Sequence, residues 1–161
     1  NQDQLNALPD FDWVKALYSN GVEQNYNLSI SGKTPTTDYF LSGVYNKQKG
    51  IFLDNSSDYA AIRANTDVKI SSKIKIGEQI NAWKRTTTPV KTNIVVDPFR
   101  TVPTAAPYSG NPEFPWSDFP GGYQGVNVMA QIKTAKFGFP ENNFQGNAYV
   151  EIKLPPKYLT F

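Results

Sequence analysis

Residues 59–70, YAAIRANTDVKI, decide the fold. Ala60, Ile62, Ala64, Thr66, Val68 and Ile70 alternate without a break against Tyr59, Ala61, Arg63, Asn65, Asp67 and Lys69. A helix would scatter these two sets around its axis, whereas a strand sends one to each face. At about 3.3 Å per residue the stretch spans roughly 40 Å. That exceeds an ordinary globular strand and suits a tilted stave of a membrane barrel.

The same period recurs on both sides. In QNYNLSISG (24–32), Tyr26, Leu28 and Ile30 oppose Asn25, Asn27, Ser29 and Ser31. Lys33 to Thr37, with Gly32 before it and Pro35 inside it, reads as a turn. YFLSGVYNKQKG (39–50) places Tyr39, Leu41, Gly43 and Tyr45 together, although Phe40 and Val44 make its other face mixed. After a turn at Ser71 to Lys73, IKIGEQINAW (74–83) aligns Ile74, Ile76, Ile80 and Ala82 with Glu78. A carboxylate on a lipid-facing side is costly, so Glu78 implies either an interfacial position or a bulge. FQGNAYVEIKL (144–154) sets Phe144, Gly146, Ala148, Val150, Ile152 and Leu154 against Gln145, Asn147, Tyr149, Glu151 and Lys153. The expected fold is therefore all-β, an antiparallel meander with strands near 24–32, 39–49, 59–70, 74–83 and 144–153.

Two other regions break the period. Residues 1–21 carry one short helix, with Asp10 and Asp12 supplying negative charge and a cap, Trp13, Val14, Leu17 and Tyr18 forming its pairs, and Gly21 as its stop. Residues 84–126 hold Pro89, Pro98, Pro103, Pro107, Pro112, Pro115 and Pro120 with four glycines, a density that no regular element survives. This is a long loop studded with Tyr108, Phe114, Trp116, Phe119 and Tyr123. Loops of that length are unusual in compact soluble domains and ordinary on the outer side of membrane barrels. Asn127 to Lys136 adds a helical turn with Val128, Met129 and Ile132 inward.

Composition narrows the chemistry. The 161 residues contain no Cys and no His, which removes disulfides, thiolate nucleophiles, His-based triads and nearly all zinc sites. A net charge of +2, spread along the chain, gives no field for nucleic acid. No run reaches the roughly 18 apolar residues of a membrane helix. A mean hydropathy of −0.48 still accommodates barrel strands, which face lipid with every second residue. Asp97, Glu113, Asp118 and Glu141 share no spacing that joins two of them into an acid–base pair, so neither catalysis nor a cofactor is expected. The Asn-x-Ser matches at Asn27 and Asn55 are read as coincidence. The start at Asn1, with neither initiator Met nor a signal pattern, reads as a chain cut from something larger.

In order, the Trp-containing helix, QNYNLSISG, TDYFLSGVYNKQKGIF, YAAIRANTDVKI and IKIGEQINAW resemble the opening barrel strands of the SusC/RagA family of TonB-dependent outer-membrane transporters. PFRTVPTAAPYS and, beyond a variable loop, FQGNAYVEIKLPPKYLTF extend the resemblance over nearly the whole chain. It implies that residues 1–161 are part of a barrel of about 22 strands, with the plug domain and the remaining strands outside this chain. It also implies import of oligosaccharides or peptides across the outer membrane of a Gram-negative, Bacteroidetes-like bacterium. The implied partners are a SusD-like surface lipoprotein, outer-membrane lipid, and TonB acting through the plug. Gly32 to Asp38 and Ser71 to Lys73 become periplasmic turns, Ile51 to Asp58 and the Pro-rich loop face outward, and Arg63, Asn65, Asp67, Asn147 and Glu151 line the lumen. An isolated piece of this kind is expected to self-associate, because its edges and apolar face lack cover.

The competing reading is a soluble β-sandwich that binds carbohydrate through loop aromatics. Tyr108, Trp116, Phe119 and Tyr123 would then contact ligand or partner by stacking on its apolar patches. The two readings part at the outer face, which a sandwich would keep polar and which Ile62, Ala64, Val68, Val150 and Ile152 make apolar.

Overall fold

The computed structural model describes residues 8–90, 99–113, 115–117, 127–134 and 138–154. In chain order these form α1 (Trp13–Leu17), β1 (Val22–Lys33), β2 (Thr37–Lys49), β3 (Ser56–Lys69), β4 (Ile74–Thr88), α2 (Val128–Thr134) and β5 (Phe139–Ile152). The strands make one sheet in the order β1-β2-β3-β4-β5, the antiparallel meander that the alternation implies. The chain divides into two compact units, one of Glu23–Lys47, Ser57–Thr86 and Phe139–Phe161 and another of Asn1–Val22, Gln48–Ser56 and Thr87–Gly138.

The first unit holds the body of the sheet. Its two tight turns are built by hydroxyls. Thr34 Oγ1 accepts from the Thr36 and Thr37 amides at 3.3 and 2.9 Å, and Ser71 Oγ accepts from those of Lys73 and Ile74 at 3.2 and 3.1 Å. Backbone bonds from Lys69 to Thr36, Ile70 to Ile74 and Lys153 to Lys73 set the register of β2 with β3, β3 with β4, and β4 with β5. In that register the apolar sets of all five strands share one face. Leu28 is 80% exposed, Phe144 72%, Val150 63% and Ile62 59%, so this face carries no protein cover among the described residues. Phe40 and Val44 fall on the opposite face, which settles the mixed reading of β2.

Glu78 stays in register. Gly77 lies against both Asp67 and Tyr149, while farther along β4 Arg85 meets Glu141, so the alternation passes Glu78 unbroken. Of the two expectations for this residue the bulge is excluded, and Glu78 is exposed on the apolar face.

Several boundaries differ from the sequence reading. β4 runs on to Thr88, because three β-branched threonines extend a strand until Pro89 removes a ladder donor. β5 starts at Phe139 with Pro140 as its second residue, at the beginning of the strand where a missing ladder donor is tolerated.

The second unit has its own small core of Trp13, Leu17, Phe52, Val128 and Met129, with Ile132 packed against it. Asp12 caps α1 by accepting from the Lys15 amide at 2.8 Å. Trp13 and Leu17 are buried, and Trp13 Nε1 donates to the Ala105 carbonyl at 2.9 Å. The helix ends at Leu17, earlier than a Gly21 stop implies, because Tyr18 turns extended and bridges to Phe52. Gly21 serves close approach instead, since a Cβ there would stand 3.2 Å from the Lys49 carbonyl oxygen. Asn55 Nδ2, the atom a glycan would need, donates to the Thr88 carbonyl at 2.9 Å.

Candidate functional site: the polar face of the sheet

The face opposite the apolar one collects the alternate residues of every strand, and its side chains form three groups along β3, β4 and β5. Nearest the Ser71–Lys73 turn, Asp67 accepts a hydrogen bond from the Tyr149 hydroxyl and pairs with Lys75 Nζ at 2.9 Å. Lys75 also stands 5.7 Å from the centre of the Tyr149 ring. The tyrosine spans from β5 to β3 because Gly77, between them on β4, has no side chain. A Cβ at Gly77 would overlap both the Tyr149 ring and the Asp67 carboxylate. These three side chains satisfy one another, and as a neutral sum they suit register fixing better than ligand capture.

In the middle, Arg63, Asn65, Gln79, Asn81, Gln145 and Asn147 line a concavity of about 370 Å³. Among its described lining residues Arg63 carries the sole charge, and no carboxylate faces it. Beyond this basin, the Arg85 guanidinium lies 5.3 Å from the Tyr59 ring and 5.5 Å from Trp83, with Glu141 at 4.0 Å. Guanidinium on aromatic faces combines dispersion with quadrupole attraction and holds all three side chains in place.

Of the residues that the sequence singles out on this face, the structure brings Arg63, Asn65 and Asn147 into one basin. It separates Asp67, which is bound to Lys75 and Tyr149, and leaves Glu151 exposed. Gln79, Asn81 and Gln145 complete the basin unannounced. Their signal was present, because they are the complement of Ile76, Ile80 and Ala82 on β4 and of Phe144 and Gly146 on β5.

The loop aromatics divide as well. Tyr108 and Trp116 form an isolated antiparallel bridge and stack at 5.5 Å between ring centres. Ser109 donates its amide to the Pro115 carbonyl, and Ser117 donates to that of Pro107, which closes this small hairpin. Asn127 Nδ2 ties it down by donating to the Pro107 and Ser117 carbonyls at 2.9 and 3.2 Å. Tyr108 is 54% exposed, so one ring edge of the pair remains open to contact. Phe119 and Tyr123 lie outside the described residues.

No family model matches the chain. It is similar to a TonB-dependent receptor of Formosa agariphila, 30% identical over 81 residues, which cover 50% of this chain and 8% of that protein. A second TonB-dependent receptor of the same organism is 25% identical over 154 residues, 94% of this chain and 15% of its own length. The chain thus spans less than a sixth of the curated relatives it matches. Meander, two-faced strands and this similarity agree, and the sequence is weakly homologous to TonB-dependent receptors of a Gram-negative bacterium.

Proposed function

We propose that residues 1–161 are part of the barrel wall of an active outer-membrane importer of the SusC/RagA type, with plug and remaining strands encoded outside this stretch. The observation that carries this reading is the height of the apolar face. It extends along β3 from Ala60, level with the stacked Tyr26–Tyr45 pair, to Ile70 at the turn. Those ten steps cover about 33 Å of strand, which a tilt of roughly 40° reduces to about 25 Å, the thickness of a barrel's lipid-facing band. A soluble sandwich would pack a second sheet on these side chains.

In this reading the short turns at Thr34–Thr36 and Ser71–Lys73 face the periplasm, and Ile51 to Asp58 and the Pro-rich loop face outward. β1 then descends from the outer side, and its free edge pairs with an ascending strand in the closed barrel. Arg63, Asn65, Asp67, Asn147 and Glu151 face the lumen. Energy reaches the transporter from TonB through the plug, and a SusD-like surface lipoprotein meets the outer loops, where Tyr108, Trp116, Phe119 and Tyr123 contact it or the oligosaccharide or peptide cargo.

These 161 residues contain no Cys, so each introduced thiol is the sole one in this stretch, and the unsubstituted receptor supplies the background. In the complete receptor in outer membranes, Ile62→Cys and Val150→Cys should resist a charged thiol reagent, whereas Gln79→Cys and Asn147→Cys should react. Equal labelling of both sets would overturn the barrel assignment.

A further inference from the structure

We infer that the basin around Arg63 is a carboxylate-binding position for the imported cargo. The inference rests on the lumenal orientation of this face and deepens it by naming the group that is recognised.

The argument begins with charge. The other described cations on the polar side of β3 to β5 near the basin are already engaged, Lys75 by Asp67 at 2.9 Å and Arg85 by Glu141 and two rings. Arg63 shares the basin with the carboxamides of Asn65, Gln79, Asn81, Gln145 and Asn147. Carboxamides donate and accept, yet they do not neutralise a guanidinium, so the basin is net positive and rich in donors. Such a set favours a planar anion that takes two parallel bonds from the fork of Arg63 and further bonds from neighbouring amides. A bare cation would be repelled, and an apolar group would leave several amides unpaired.

A concavity of about 370 Å³ accommodates one acidic unit of an oligomer rather than a whole chain. A uronate and an acidic residue of a peptide both carry such an acid, and the carboxylate is the chemistry they share.

The test uses the complete receptor in detergent and isothermal titration with trigalacturonate, neutral galactotriose, triaspartate and triasparagine. At least one acidic probe should bind more tightly than its neutral counterpart, and the pair that shows this difference identifies the source of the acid. Arg63→Gln should weaken that probe by about ten- to hundredfold, the worth of one hydrogen-bonded charged partner, and leave its neutral counterpart unchanged. Arg63→Lys should fall between, because it keeps the charge and loses the fork, and it reads the same effect if Arg63→Gln does not assemble. Equal binding of acidic and neutral probes, no binding of either acid, or an unchanged affinity in both variants would overturn the proposal. Heat-modifiable migration in gels, measured on the same samples, reports separately whether the receptor is a barrel.

Discussion

Tyr149 on β5 donates its hydroxyl to Asp67 on β3, two strands away, by lying over Gly77 of β4. An aromatic ring that covers a glycine shields a stretch of bare backbone, and its hydroxyl then fixes which residue of the next strand stands in line. A second pair repeats the device on the apolar face, where a Cβ at Gly32 would overlap the Tyr39 ring across the β1–β2 turn. Both glycines lie near the tight turns, where a slip of one residue would exchange the two faces of the sheet.

Gly77→Ala is therefore expected to cost more than removal of the hydroxyl it accommodates. The added methyl displaces the Tyr149 ring, an overpacking penalty of about 1–3 kcal/mol, whereas Tyr149→Phe keeps the ring on the glycine. Denaturant melts of the detergent-refolded receptor should rank Gly77→Ala as the less stable variant. The reverse order would assign the stabilisation to the hydrogen bond instead of the cover.

Trp13 anchors the unit that contains the long loop, since it is buried in the small core and bonded to the Ala105 carbonyl. Trp13→Ala should lower the local stability of that unit by about 3–5 kcal/mol, while Val14→Ala on the exposed side of the helix stays within about 0.5 kcal/mol. Amide exchange at Ala105 and Leu53 reads the difference. Comparable protection in the two variants would contradict the anchoring role.

Asn127 joins α2 to the Tyr108–Trp116 hairpin. Its Oδ1 accepts from the Ala130 amide at 3.0 Å, and its Nδ2 holds two loop carbonyls. Asn127→Ala should cost about 1–2 kcal/mol through the lost cap and release the hairpin as well. Limited proteolysis between Ser109 and Pro115 should accelerate in this variant. Asn127→Asp keeps the cap and loses both carbonyl bonds, so it should accelerate cleavage while α2 stays formed.

The strands were legible because a sheet with one apolar face writes a period of two into every stave, as 59–70 shows. Their ends were not. Thr86 to Thr88 extend β4 by β propensity alone, and β5 begins at Phe139, ahead of a Pro140 that reads as a strand breaker. The basin was half legible. Arg63, Asn65 and Asn147 stood out on strands of clear alternation, but their meeting with Gln79, Asn81 and Gln145 depends on register, which two serine- and threonine-built turns and a glycine decide. Phe52 of the second core gave no signal, because its partners Leu17 and Val128 are distant in sequence.

The last prediction concerns the open sheet. Among the described residues β1 and β5 each have one edge without a strand, and the face bearing Leu28, Ile62, Phe144 and Val150 is exposed. Unpaired edges are templates for further strands, and an apolar patch of this breadth is seldom left in water. In detergent-free buffer the isolated polypeptide should self-associate, seen by light scattering as a mass that grows with concentration, and detergent should reverse it. Ile62→Lys and Val150→Lys should oppose association in water by breaking the patch. In the complete receptor the same changes should destabilise the bilayer-embedded barrel by about 2–4 kcal/mol at mid-depth, whereas Gln79→Lys on the polar face should not. This opposite sign in two solvents separates a lipid-facing wall from a soluble core. A dilute monomer in which both lysine variants are simply unfolded would assign the apolar face to an interior and reject the barrel.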